Sequence, residues 1–74
     1  MSTLPRLSGR EVVRAFERLG YEFDRQHGSH MILRQRAHPY RRLAVPDHRE
    51  IAKGTLRAII RQARITVEQF TSLL

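Results

Sequence analysis

The sequence predicts an α+β fold: a three-stranded antiparallel sheet with helices on one face, in the order α-β-β-β-α plus an extra short C-terminal helix. Three observations carry that prediction. Apolar residues recur at helical spacing near both ends of the chain, behind residues suited to capping a helix. Between those ends, short segments carry strand patterning. Those segments are separated by Gly28, Pro39 and Pro46, over links too short for parallel crossovers.

Seventy-four residues are expected to form one domain, 1–74, with residues 1–7 a loosely ordered lead. The first helix is read from SGREVVRAFERLG. Ser8 and Glu11 have capping-box spacing, which satisfies two amide donors at the helix start. Val12, Val13, Phe16 and Leu19 fall on one face, and Gly20 supplies the left-handed stop. YEFDRQ then alternates Tyr21 and Phe23 with Glu22 and Asp24, the period of a half-buried strand, so both aromatics are expected in the core. HGS makes the turn, with Gly28 free to take positive φ.

HMILRQR is the second strand, AHPY a loop in which Pro39 forbids pairing, and RRLAV the third strand, closed by Pro46. After the DHRE loop, GTLRAIIRQA reads as a helix with Thr55 at its N-cap and Leu56, Ile59, Ile60 and Ala63 inward. TVEQFTSLL repeats the capping pattern with Thr66 and Gln69, turning Val67, Phe70, Leu73 and Leu74 inward. A domain of this size buries only about 60% of its unfolded surface, so its stability is expected to be marginal.

Composition limits the function classes. The absence of cysteine excludes disulfides, thiolate zinc sites and cysteine nucleophiles. No apolar run approaches membrane length and no signal peptide is expected, which makes the cytoplasm the default location. Fourteen basic residues, thirteen of them arginine, face seven acidic ones, for a net charge of +7. Their placement is more telling than their number. From Arg25 to Pro46 there is no Asp or Glu, while Arg25, Arg34, Arg36, Arg41 and Arg42 fall there with His27, His30 and His38. Such a stretch suits a polyanion, because each phosphate contact releases counterions.

Several short strings recur in this chain in a characteristic order. They are Ser8-Gly9-x-Glu11-Val12, Gly20-Tyr21-Glu22, Arg25-Gln26-x-Gly28-Ser29-His30, Val45-Pro46-x-His48 and Ile51-x-x-Gly54-Thr55-Leu56-x-x-Ile59. Each alone is common, but their order and spacing resemble the HicA toxin family of YcfA-like mRNA interferases along almost the full length. The element order is also shared by double-stranded-RNA-binding domains. One departure stands at Arg64, where the family often has glycine after Gln-Ala; without glycine a left-handed turn is costlier.

The resemblance implies a small ribonuclease that cleaves mRNA and is silenced by a cognate HicB-type antitoxin. Such a toxin would be a monomer when free and part of a hetero-oligomer with its antitoxin. It also implies that His30, in Gly-Ser-His, is the catalytic histidine. Chemistry supports that role. RNA carries its own nucleophile, the 2′-OH, so an enzyme needs only to move two protons and stabilise charge on phosphorus, and no metal or other cofactor is required. An imidazole titrates near pH ~6.5 in model peptides and can accept a proton at cell pH. General-base assistance contributes roughly 10²–10⁴-fold.

The candidate RNA-binding residues are Gly28, Ser29, Arg25, Arg34, Arg36, Arg41, Arg42, Lys53 and His48. Gly28 permits close backbone approach, and the guanidiniums offer paired donors to phosphate. His48 could equally bond into the following helix. His27 is a candidate general acid or a solvated turn residue, His38 is expected to be exposed, and Tyr40 is placed to stack on an unpaired base. Ser29 is expected to point away from His30, which disfavours a Ser-His nucleophile pair. No carboxylate stands between Arg25 and Pro46 to complete a histidine metal site. The rival expectations are a double-stranded-RNA-binding module without chemistry and a basic partner for an acidic protein.

Overall fold

The structure, a computed structural model, describes residues 3–74. Its elements are α1 (Gly9–Arg18), β1 (Tyr21–His27), β2 (His30–Gln35), β3 (Arg42–Pro46), α2 (Lys53–Gln62) and α3 (Val67–Thr71). The strands form one sheet in the order β1-β2-β3 with both pairings antiparallel, as the sequence predicts.

Capping positions α1 and α3. Ser8 Oγ accepts from the Glu11 N–H at 3.2 Å, and Glu11 Oε1 accepts from the Ser8 N–H at 2.9 Å. That second bond is the main cause holding the Glu11 carboxyl below the usual carboxylate range. Thr66 and Gln69 make the same reciprocal pair at the start of α3, at 3.0 and 2.7 Å. Gly20, at φ 109°, ends α1 in a conformation that other residues resist.

The core lies between the helices and one face of the sheet. Phe16 sits at its centre, edge-on to Tyr21 with ring centroids 5.5 Å apart and tilted against Phe70 at 5.4 Å. Around them pack Val12, Leu33, Leu43, Val45, Leu56 and Ile60, all nearly inaccessible. Among the described residues no polar or charged side chain is classed as buried apart from the tyrosine. The Tyr21 hydroxyl is buried with no hydrogen-bond partner, and burial pushes its phenol up while the Arg41 guanidinium acts in the opposite direction.

Several boundary expectations need correction. Within the opening segment, Leu4 and Leu7 are core residues, and the Leu7 carbonyl accepts from the Ile51 N–H at 2.8 Å, so residues 3–7 are not a loose lead; residues 1–2 lie outside the described residues. Leu19 and Phe23, expected inward, are 40% and 46% exposed, because α1 ends at Arg18 and β1 runs out along the sheet edge beyond its cover. Leu74 is likewise exposed.

Thr55 is not the cap of α2, which starts at Lys53 after Ala52 with no side-chain cap; Lys53 is therefore the first helical residue instead of a loop residue. The departure at Arg64 proves local. Arg64 adopts φ 59°, with Arg64 N–H bonded to the Arg61 carbonyl at 3.0 Å and Ile65 N–H to the Ile60 carbonyl at 3.4 Å. This is the bonding of a Schellman turn, closed by arginine where glycine is the unstrained choice.

Candidate active site on the open face of the sheet

Strand alternation decides which residues can meet a substrate. Met31 and Leu33 of β2 are 5% and 0% exposed and face the helices. His30, Ile32 and Arg34 therefore project from the opposite face. On β3 the same rule sends Leu43 and Val45 inward, with Arg42 and Ala44 paired beside Arg34 and Ile32 on the open side. His30 is exposed.

β1 joins this face through an irregularity. Tyr21, Glu22 and Phe23 pair with Gln35, Arg34 and Leu33, but the register then shifts, so that Arg25, Gln26 and His27 oppose Ile32, Met31 and His30. Asp24 is the extra residue of a bulge. Without it, the alternation begun by Tyr21 and Phe23 would turn Arg25 and His27 toward the helix side. With it, both reach the open face, which is a recurrent use of bulges near functional sites. Arg25, His27, Ile32, Arg42, Ala44 and Gln62 accordingly line one open depression of about 480 Å³.

The hairpin tip is held at both sides. Gly28, at φ 61°, takes the first central position of a two-residue loop, where type II′ turns favour glycine. Ser29 occupies the turn and not the strand, and its carbonyl accepts from the Asp47 N–H at 2.7 Å, tying the tip to the chain leaving β3. Beyond β3, the His48 carbonyl accepts from the Gly9 N–H at 2.9 Å, and the His48 side chain is exposed. A Cβ at Gly9 would overlap the Pro46 carbonyl oxygen, so glycine is what lets α1 begin against the end of β3.

The candidate binding residues separate in space. Arg25 and Arg42 stand on the open face with no ion pair among the described residues. Arg34 and Arg36 share Glu22, whose carboxylate lies 3.5 Å from Arg34 Nη2 and 3.7 Å from Arg36 Nε. The acid-free stretch of sequence is thus partly neutralised by a residue from the neighbouring strand. Arg41 departs furthest from expectation: its N–H and carbonyl pair with Gln35, and its guanidinium acts on the Tyr21 phenol, on the helix side. Lys53 is exposed at the start of α2.

In the β2–β3 loop, Tyr40 is 55% exposed at φ 58° and packs edge-on to His38 at 6.1 Å. Sequence reasoning missed the bulge. The only hint available was that unbroken alternation would have pointed Arg25 at the helices. No group of three or more His, Asp or Glu that could hold a metal ion occurs among the described residues, and no helix among them is long and apolar enough to cross a membrane.

Comparison with known families bears on this geometry. The family model described as the HicA toxin of bacterial toxin–antitoxin systems matches residues 9–65, from the first residue of α1 through the turn that follows α2. A search of curated proteins gives no significant match. The matched span covers most of the chain and contains the hairpin, the bulge and every open-face residue named above. The chain belongs to the HicA toxin family of bacterial toxin–antitoxin systems.

Proposed function

We propose that this toxin is an endoribonuclease that cleaves mRNA without a metal, using His30, and that a HicB-type antitoxin silences it. The observation that carries the proposal is the exposed His30 on the open sheet face, with Arg25 and Arg42, which have no ion pair among the described residues, presented from the strands on either side. His30 takes the proton of the ribose 2′-OH as the 2′-oxygen attacks the adjacent phosphorus. Arg25 and Arg42 stabilise the charge that develops on the phosphoryl oxygens, a task suited to forked guanidinium donors. Gly28 and Ser29 let the backbone approach the bound strand, while Arg34, Arg36, Lys53 and His48 add weaker or more distant contacts.

The antitoxin that fits this face presents acidic or polar residues to the same arginines, so that it displaces RNA directly. The free toxin is a monomer and the silenced form a hetero-oligomer, with both in the cytoplasm where mRNA is found.

The test is end-group analysis of RNA fragments produced by the purified chain in the presence of a chelator. Attack by the 2′-OH leaves a 2′,3′-cyclic phosphate and a 5′-hydroxyl. Fragments bearing a 5′-phosphate would indicate an activated water instead. Intact RNA, bound with steep salt dependence, would favour a double-stranded-RNA-binding module without chemistry.

A further inference from the structure

Two proton transfers are needed for RNA cleavage, and they occur at different oxygens. The attacking 2′-oxygen and the departing 5′-oxygen lie on opposite sides of phosphorus, so a single imidazole cannot serve both in one displacement. The family resemblance supplies only one histidine. The fold brings a second one beside it.

His27 closes the hairpin directly opposite His30. Residues so paired have Cβ atoms about 4.5–5.5 Å apart and share a face of the sheet. That face is the open one, because the bulge at Asp24 reverses the alternation of β1 before His27 is reached. His27 lines the same depression as Arg25 and Arg42, and both imidazoles are exposed. Neither makes a hydrogen bond or an ion pair to another described side chain that would commit it to a structural role.

We infer that His27 is a second catalytic residue, the general acid that complements His30 across the β-turn; this rests on the ribonuclease reading above. His30 accepts the 2′-OH proton as the bond from the 2′-oxygen to phosphorus forms. The bond from phosphorus to the 5′-oxygen breaks, and that oxygen takes a proton from the His27 imidazolium. The products are a 2′,3′-cyclic phosphate and a 5′-hydroxyl, and exchange with water returns each ring to its starting state.

The charged neighbours of the pair fit this division. Arg25 on β1, Arg34 on β2 and Arg42 on β3 share the face, so phosphate binding is favoured there. The carboxylates nearby are engaged elsewhere or stand back. Asp47, after β3, pairs with Arg10 at 3.4 Å, Glu22 is held by Arg34 and Arg36, and Asp24 is the bulge residue three positions before His27.

The test compares the unsubstituted chain with H27A, H27Q and H30A on two RNA substrates. One is natural. The other carries sulfur in place of the scissile 5′-oxygen, so its leaving group departs without a proton. H27A and H27Q are expected to cut natural RNA about 10²-fold or more slowly, and to recover most of that loss on the sulfur substrate. H30A stays inactive on both.

Melting curves of the variants are expected to match the parent, since the ring is solvent-exposed. Natural RNA cut by H27A and H27Q at the parental rate, or a defect that sulfur does not relieve, overturns the role of His27 and leaves the ribonuclease reading standing. Failure of the unsubstituted chain to cut either substrate overturns both.

Discussion

On the helix side of the sheet, Tyr21, Met31, Leu33, Leu43 and Val45 are at most 5% exposed and meet only other apolar groups, the Tyr21 hydroxyl and its Arg41 neighbour apart. On the opposite side, the same three strands present Arg25, His27, His30, Arg34 and Arg42, together with Ile32, Ala44 and the Glu22 that pairs with Arg34. Both faces are products of one alternation, and they answer to different physics. The covered face supplies the hydrophobic free energy of a small domain, at roughly 25 cal/mol per Å² buried. The open face contributes little to stability, because exposed charges gain little from one another in water. On the proposed reading, stability and function are separable here by strand position, one residue apart.

Substitutions can break or sharpen that separation. The largest effect is expected for Phe16→Ala, which removes the ring at the centre of the core and should cost about 3–5 kcal/mol, read as a lower urea midpoint. A change below about 1 kcal/mol would mean that the helix side is not the source of stability. On the other face, Arg42→Ala should leave the midpoint unchanged and weaken RNA binding. The slope of log affinity against log salt should fall by about 0.7, the value for one phosphate contact to a single strand. Arg14→Ala, on the solvent side of α1, should leave that slope as it was. Equal losses from both would show that binding follows net charge and not the sheet face.

A smaller effect, of opposite sign, is expected at the turn after α2. Arg64→Gly removes the cost of holding an L-residue at φ 59° and should raise stability by about 1 kcal/mol in denaturant melts. A loss of stability would show that the arginine side chain makes a compensating interaction. Either result leaves the open face untouched.

How much of this was legible in the sequence follows from the range of each signal. Capping boxes at Ser8 and Thr66, the glycine stop at Gly20 and the hairpin at Gly28 are local, and each stands where local chemistry places it. The sheet order followed from short links alone. Burial at the margins was not legible: Leu19, Phe23 and Leu74 are apolar but lie past the ends or edges of what covers them, whereas Leu4 and Leu7 are buried, and the Leu7 carbonyl is bonded to the Ile51 N–H, distant in sequence. The α2 start was misread because Thr55 is a good cap that the chain does not use.

The candidate site divides in the same way. The exposed position of His30 at the start of β2 was legible from the glycine turn and the apolar run that follows it. The assortment of the arginines was not, since Glu22 reaches Arg34 and Arg36 across a strand pairing and Arg41 turns to the helix side beside Tyr21. The position of His27 depends on a single bulged residue, Asp24, in a strand whose composition gives no sign of a break.

The central claim is that His30 performs chemistry from a face that does not hold the fold together. The most direct measurement is the cleavage rate and the melting temperature of one His30→Ala preparation, assayed on mRNA with chelator beside the parent chain. The account predicts cleavage lowered by at least about 10²-fold with the Tm and RNA affinity nearly unchanged. Cleavage at the parental rate, or an activity loss that merely accompanies unfolding, would contradict it.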